Sequence, residues 1–374
     1  MRVSPQYDLI VIGAGIIGLA HALAAVRRNL RVLVVDRYRQ ANGASVRNFG
    51  FVTVTGQQRG DVWQLARRSA QVWREIAPLA GIKVEQQGLL LVAQRAEAVD
   101  VIDAFIATEM GEGCQLLSAA RAREFCPMLA GDVAGALLSP HDLRVESRDA
   151  IPLLADWLER EKQVDIWRGL AAVRIEPGHV LLSDGSVVEA RHIIACPGDD
   201  WASLFPEEYR DAGIMRCQLQ MLRLAPPGWR LLAPVMSDLS MVRYAGYAEL
   251  PEAALLRQRI EAEAAEELAH GIHLIVVQSA DGSLIVGDSH SYAPTPEPFA
   301  SCAVDDAILR QYAAVFGKVP PVTHRWTGTY ASGPDHSIVR SPLPGVHLVV
   351  VTSGTGASTG FALAEQVIER ALSG

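Results

Sequence analysis

The chain has 374 residues, 49% of them hydrophobic, and a formal net charge of −8. That length exceeds what one core usually organises, so two domains are expected, and the acidic balance argues against nucleic acid as the main partner. No apolar stretch reaches the roughly 18 residues of a membrane span, and the chain enters an apolar strand almost at once. Neither a transmembrane segment nor a cleavable signal is expected, which points to the cytoplasm.

The opening run, Tyr7-Asp-Leu-Ile-Val-Ile-Gly-Ala-Gly-Ile-Ile-Gly18, predicts an apolar strand over 9–12 turning through Gly13, Gly15 and Gly18 into a helix over 16–28. A second apolar strand over 31–36 ends in Asp36. In this context the first glycine makes the turn, the second lets backbone approach a pyrophosphate, and the third lets helix pack on strand. Asp36 falls about 20 residues on, where a carboxylate accepts from a ribose hydroxyl. A glycine-rich turn in another α/β fold would explain neither the acid nor its position.

A polar loop over 42–50 and a Trp- and Arg-rich helix over 61–79 follow. From Val84 the pattern changes: a short strand (87–93), helices (96–110 and 118–125) and an apolar strand (135–139) form a different kind of unit. Around Arg148 the α/β pattern returns, with a helix (150–161), strands (164–167, 171–175 and 179–182), a Ser183-Asp-Gly-Ser186 hairpin turn with positive φ from Asp-Gly, and a buried strand over 190–198. Residues 214–325 read as mainly antiparallel, with strands at 217–224, 241–247, 273–278 and 284–287, a charged helix over 252–270, and a stiff loop at Pro294, Pro296 and Pro298. A fully apolar strand (346–351), a glycine-rich turn (352–360) and a helix (361–372) close the chain.

The five cysteines, Cys114, Cys126, Cys196, Cys217 and Cys302, are scattered without C-x-x-C spacing. Neither a disulfide framework nor a metal site is expected.

Four segments fit one family in their order: the fingerprint; Gly43-Ala-Ser-Val-Arg-Asn-Phe-Gly50; Ile193-Ile-Ala-Cys-Pro-Gly198 followed by Trp201; and Trp326-Thr-Gly with Asp335, closing on Gly354-Thr-Gly and Thr359-Gly360. Over essentially its whole length the chain resembles the FAD-dependent amine oxidoreductases of the D-amino-acid oxidase, glycine oxidase and sarcosine oxidase superfamily. The resemblance implies an α/β fold: a Rossmann-type FAD-binding domain (1–83, 146–213 and 326–374) interleaved with an α+β substrate domain (84–145 and 214–325) on a mainly antiparallel sheet. It implies FAD contacts from Gly13, Gly15, Ile16, Ile17, Gly18, Asp36 and Arg37 at the nucleotide end. Ser45, Arg47 and Asn48 would lie beside the flavin, and Val173, Cys196, Gly198 and Trp201 along the cofactor. Backbone N–H groups near Gly354, Thr355, Gly356 and Thr359 would face the pyrimidine edge, where reduction places negative charge. Some branches attach the flavin through a C-terminal cysteine or a histidine in the second motif. This chain has no cysteine beyond Cys302 and has Asn48 at the latter place, so non-covalent FAD is expected.

Candidate substrate residues are Arg47, Arg243, Tyr244, Tyr330, His336, Arg340 and the cluster Gly287-Asp-Ser-His-Ser-Tyr292. An amine must lose its extra proton before hydride leaves the neighbouring carbon, which asks for a neutral acceptor; His290 has a suitable unperturbed pKa. Arg243, Arg47 and Tyr330 complete the catalytic set as anchors for an acidic end. Ser45 to Gly50, Thr55-Gly-Gln57, Gly287-Asp-Ser-His290 and Pro298-Phe299 are further similar to a bacterial clade associated with aminophosphonate breakdown, which implies substrates like 2-aminoethylphosphonate. Glycine, sarcosine or a D-amino acid is the alternative, and a partner-dependent flavoprotein subunit the alternative from another class. The electron acceptor, oxygen or a quinone or protein, and the oligomeric state stay open.

Overall fold

The computed structural model describes residues 7–373. Residues 1–6, on which the expectation of no cleavable signal bears, lie outside them. The strands in chain order are β1 (Tyr7–Ile12), β2 (Val32–Asp36), β3 (Phe51–Val52), β4 (Val84–Ala93), β5 (Gln115–Ser118), β6 (Gly135–Val145), β7 (Asp165–Arg168), β8 (Ala172–Glu176), β9 (His179–Leu182), β10 (Val187–Ala195), β11 (Met215–Leu224), β12 (Val235–Ser237), β13 (Ile275–Gln278), β14 (Leu284–Gly287), β15 (Ser291–Ala293), β16 (Val322–Leu343) and β17 (Val346–Ser353).

β7, β2, β1, β10 and β17 pair in that order, all parallel. Alternation along β1 and β2 sorts their side chains onto two faces. Leu9, Val11, Val32 and Val34 join the core beneath α1 (Ile16–Val26) and the helices Ser147–Lys162 and Gly356–Ser373. Ile10, Ile12, Leu33 and Val35 join the opposite core, where the meander β8–β9–β10 covers the sheet. Each such fully buried aliphatic side chain contributes about 1.5–3 kcal/mol.

The second half is mainly antiparallel: β16 pairs with β11, β11 with β14, β14 with β13, β13 with β12, and β4 with β6. One parallel pair, β12 with β4, links the two hairpin groups. Leu90, Val92, Leu222, Val276 and Val286 pack there against Ile308, Tyr312 and Val315 of the helix Cys302–Phe316.

β16 is the joint between the halves. Its first part pairs with β11 in the antiparallel half, and its second part pairs with β17 of the parallel half. The boundary expected at 325/326 falls inside this strand.

Several local expectations are corrected. Residues 241–247 are not a strand. A 3-10 turn (Asp238–Val242) and a short helix (Ala245–Ala248) occupy them, because Gly246 is pressed on the backbone of Gly56, donating its N–H to the Gly56 carbonyl at 3.0 Å. The place beside β4 is taken by β12. The helix expected over 252–270 is two, Ala253–Glu263 and Ala265–Ala269, broken where Ala264 leaves helical dihedrals (φ −136°, ψ 40°). In the Ser183–Ser186 turn only Gly185 has positive φ. Asp184 instead accepts from the Ser186 N–H at 3.0 Å, an Asx turn. The last helix begins at Gly356, inside the stretch expected to be a turn.

Candidate active site

One cavity of about 940 Å3 runs from the fingerprint to the sheet of the second half. At its first end, Gly13 has φ +102° and sits so tightly that a Cβ would come within 2.6 Å of the Cys196 carbonyl oxygen. A Cβ on Gly18 would collide with the Gly13 carbonyl. These two glycines pull α1 and the end of β10 against the turn, as helix-on-strand packing requires. The N-cap residue of α1, Gly15, brings no capping side chain. Its first-turn N–H groups therefore face the cavity as an anion site, except that Ile16 N donates to Ser45 Oγ at 3.0 Å.

Asp36 closes β2 and spends its carboxylate locally: Oδ2 accepts from Ala14 N at 2.6 Å and Oδ1 from Tyr38 N at 2.8 Å. Each oxygen keeps a second lone pair for a ribose hydroxyl. Arg37 reaches across to Asp200 Oδ2 at 2.5 Å, joining the ends of β2 and β10 over this part of the cavity.

The loop after β2 is self-braced. Asn48 Nδ2 donates to Ala44 O at 2.7 Å, and Asn48 Oδ1 accepts from Gly50 N at 2.6 Å. The Arg47 guanidinium donates to Asn42 Oδ1 at 3.2 Å and to Thr327 O at 3.4 Å. β16 presses close: a Cβ on Gly328 would lie 3.1 Å from Arg47 O. Arg47 lines the cavity but is tied to its own loop.

Opposite lies the turn after β17. Gly354 has φ +73°, and His336 Nε2 stands 3.1 Å from both Thr355 Oγ1 and Thr359 Oγ1. Burial pushes His336 down to about 4, so its ring is neutral. His336 thus belongs to this turn.

At the far end Arg243 donates to Tyr292 Oη at 2.9 Å. Tyr330, Tyr244 and Tyr292 line the same wall, all with pKa raised, chiefly by burial. Behind them His273, Asp288 and His290 are buried, with one ligand-type atom each within 4.8 Å of the others. His290 Nδ1 faces Gly271 O at 2.9 Å, and its Nε2 is 3.6 Å from Asp288 Oδ2. His273 Nε2 is 3.1 Å from Asp288 Oδ1 but off the hydrogen-bonding line, which leaves that buried oxygen without a donor. Burial pushes His290 down to about 3 against the pull of Asp288. Burial would raise the Asp288 carboxyl, but His290, His273 and Arg243 hold it at about 2. Burial works against charge on all three side chains, and the attraction between the Asp288 carboxylate and the two imidazoles works against burial.

Gly13, Gly15, Ile16, Ile17, Gly18, Asp36, Arg37, Ser45, Arg47, Asn48, Cys196, Gly198, Arg243, His290, Tyr330, Gly354, Thr355 and Gly356 all line this cavity. Val173, Trp201, Thr359 and Arg340 are not among its lining residues. Val173 points outward from β8, where Ala171 and Ala172 reach the cavity instead. Trp201 lies under the Arg216 guanidinium, 4.0 Å from ring centroid to Cζ. Thr359 is buried behind His336. Arg340 is exposed on β16, so the three arginines do not converge. Thr55 donates to buried Asp142 Oδ2 at 2.5 Å and so serves the fold.

Sequence reasoning missed His273 and Thr53, and it quoted Gln57 only within the Thr55-Gly-Gln57 segment. Gln57 Nε2 donates to Thr53 Oγ1 at 2.7 Å on the cavity wall. The signal for His273 was present: the register Ile275↔Gly287, extended two residues, brings it opposite Ser289, beside Asp288 and His290.

A two-ended cavity, with a glycine cradle and a helix N-terminus at one end and cationic and acceptor groups at the other, defines a dinucleotide-dependent enzyme acting on a small molecule. The profile of the family described as FAD dependent oxidoreductase (DAO) matches residues 8–370, and the chain belongs to that family. No curated protein matches it in sequence. Among solved structures it is similar to glycine oxidase from Geobacillus kaustophilus (17% identity, 99% of this chain and 95% of that one, TM-score 0.78). It is likewise similar to L-proline dehydrogenase from P. horikoshii (18% identity, 98% and 93%, TM-score 0.78) and iminodiacetate oxidase from Chelativorans sp. BNC1 (17% identity, 97% and 95%, TM-score 0.71). At these identities the likeness is one of fold. Among the described residues no helix is long and apolar enough to cross a membrane.

Proposed function

We propose that this chain oxidises a small amine bearing an acidic group, with aminophosphonates of the 2-aminoethylphosphonate kind as the preferred class, and that it holds FAD without a covalent bond. The observation that carries the reading is the continuity of one cavity from the glycine cradle to Arg243 and His290. The family's cofactor, when bound, accepts a hydride from the carbon beside the amine nitrogen.

The residues divide the remaining work. The Gly13–Gly18 turn and the α1 N-terminus receive the pyrophosphate, and the turn at Gly354 supplies N–H groups toward the flavin ring. Arg243, fixed by Tyr292, binds the acidic end of the substrate. A phosphonate offers three acceptor oxygens, and a guanidinium fork with flanking tyrosine hydroxyls suits it better than a point charge does. His290, neutral at rest, is an acceptor for the amine proton. Buried apolar neighbours Leu219 and Ile275 limit water at this end.

The test is anaerobic bleaching of the purified yellow protein by a panel of aminophosphonates, glycine, sarcosine and D-amino acids. The aminophosphonates should bleach it fastest. Bleaching by glycine or sarcosine alone would overturn the substrate class, and bleaching by none would favour a subunit that works only with a partner. Acid precipitation should release the colour into solution. Peroxide formed on reoxidation in air would identify oxygen as the acceptor.

A further inference from the structure

Asp288 and His290 present hydrogen-bond acceptors to the cavity, with His273 beside them. His290 Nδ1 faces a carbonyl, Gly271 O, at 2.9 Å, so Nδ1 carries the ring proton and Nε2 keeps a lone pair. Ser240 Oγ has one proton, directed to His273 O at 2.9 Å, and its oxygen then accepts from His273 Nδ1 at 3.3 Å. Asp288 Oδ1 is buried with no donor. An unpartnered buried carboxylate oxygen beside the His290 Nε2 lone pair is costly unless a cation completes it.

Resting on the amine-oxidation reading, we propose that His273, Asp288 and His290 form the amino-group subsite: they hold the substrate's ammonium, and one imidazole takes its proton before hydride leaves the carbon. Arg243 lies close enough to act electrostatically on all three residues. Carboxylate and guanidinium both line the cavity, so a zwitterion could set its ammonium at Asp288 and its acidic group at Arg243. The same guanidinium disfavours a divalent metal ion here, since a doubly charged ion is repelled twice as strongly as a single ammonium by the partly buried Arg243. In the proton step an N–H bond of the ammonium breaks and an Nε2–H bond forms. The amine nitrogen regains its lone pair, and the new imidazolium faces Asp288. No outside reactant is needed.

The test uses ligands that cannot be oxidised because the carbon beside nitrogen bears no hydrogen. 2-Amino-2-methylpropylphosphonate is compared with 2-methylpropylphosphonate, and 2-aminoisobutyrate with isobutyrate. Each is titrated into FAD-loaded protein and followed by the flavin absorption spectrum. In the wild type the amino member of the better-binding pair should bind at least tenfold more tightly than its partner. Asp288→Asn should remove that advantage while leaving the partner's affinity within about twofold and the FAD content unchanged. His273→Gln, as a second variant, should reduce the advantage in the same direction. Equal binding of amino and des-amino ligands by the wild type overturns the subsite, as does equal loss of both in the variants. Stoichiometric zinc or another divalent metal retained by the wild type and lost in Asp288→Asn overturns it too. Protein that passes these binding tests yet is bleached by no amine overturns the oxidation reading instead.

Discussion

Gly354 stands against Tyr330: a side-chain carbon on the glycine would come within 3.0 Å of the tyrosine Cζ. The turn after β17 and a side chain from the opposite strand β16 therefore meet in the cavity without spare room. Gly354 also has φ +73°, where an L-residue costs about 1–2 kcal/mol. Gly354→Ala is expected to lower the melting temperature by several degrees and to reduce turnover with FAD still bound. Unchanged melting and kinetics would show that the contact is slack.

The opening glycines set a stricter limit. A Cβ at Gly18 meets the backbone carbonyl of Gly13, which cannot rotate away as a side chain would. Gly18→Ala should yield protein that is colourless as purified and resists reconstitution with FAD, scored by the ratio of flavin to protein absorbance. Ser45→Ala should be milder. It frees the Ile16 N–H and deletes one hydroxyl, worth about 1 kcal/mol, so FAD dissociation should strengthen several-fold at most in a titration.

Arg243→Gln separates recognition from cofactor binding. Losing a charged hydrogen-bond donor to an acidic group costs about 1.5–3 kcal/mol, tenfold to hundredfold in affinity. The KM for phosphonate- or carboxylate-bearing amines should rise by that factor while FAD content stays at the wild-type level. Simple alkylamines, which present no acid, should be unaffected. A KM that does not move would remove Arg243 from the acid-binding role.

His21 predicts how stability responds to acid. Its ring is enclosed by α1, with Nδ1 2.7 Å from Ile17 O. Burial pushes its pKa from 6.5 to about 4, with the Ile17 carbonyl opposing only in part. The folded value is depressed, so below pH 6.5 the unfolded chain takes the proton first. The stability is fully present above that pH and falls as pH drops toward 4, by up to about 1.4 kcal/mol per pH unit. Replacing His21 by Leu should shrink the difference in melting temperature between pH 7 and pH 5.

Much of the nucleotide end was legible because its constraints are local. Glycine spacing, the apolar runs of β1 and β2 and the acid at Asp36 lie within thirty residues of one another, and each has one physical purpose. The substrate end was legible only in pieces. Gly287 to Tyr292 stood out as polar, yet its meaning depends on His273 across a hairpin and Arg243 on a separate turn. The segment 241–247 alternates as a strand does, but the Gly56–Gly246 backbone contact bends it into a turn and short helix. The outward direction of Val173 follows from the pairing of β8 with β9, a tertiary choice that residue type alone does not encode.

The reach of β16 across both halves sets a length scale for chemistry. Its residues advance about 3.3 Å each along one backbone that is hydrogen-bonded to β11 in one half and β17 in the other. The strand works as a ruler: the spacing between Gly328, pressed on the loop at Arg47, and Tyr330, pressed on the turn at Gly354, is fixed in peptide units. Exchanging a side chain at one of its markings, such as Tyr330, would reshape the cavity while the graduation itself stays fixed.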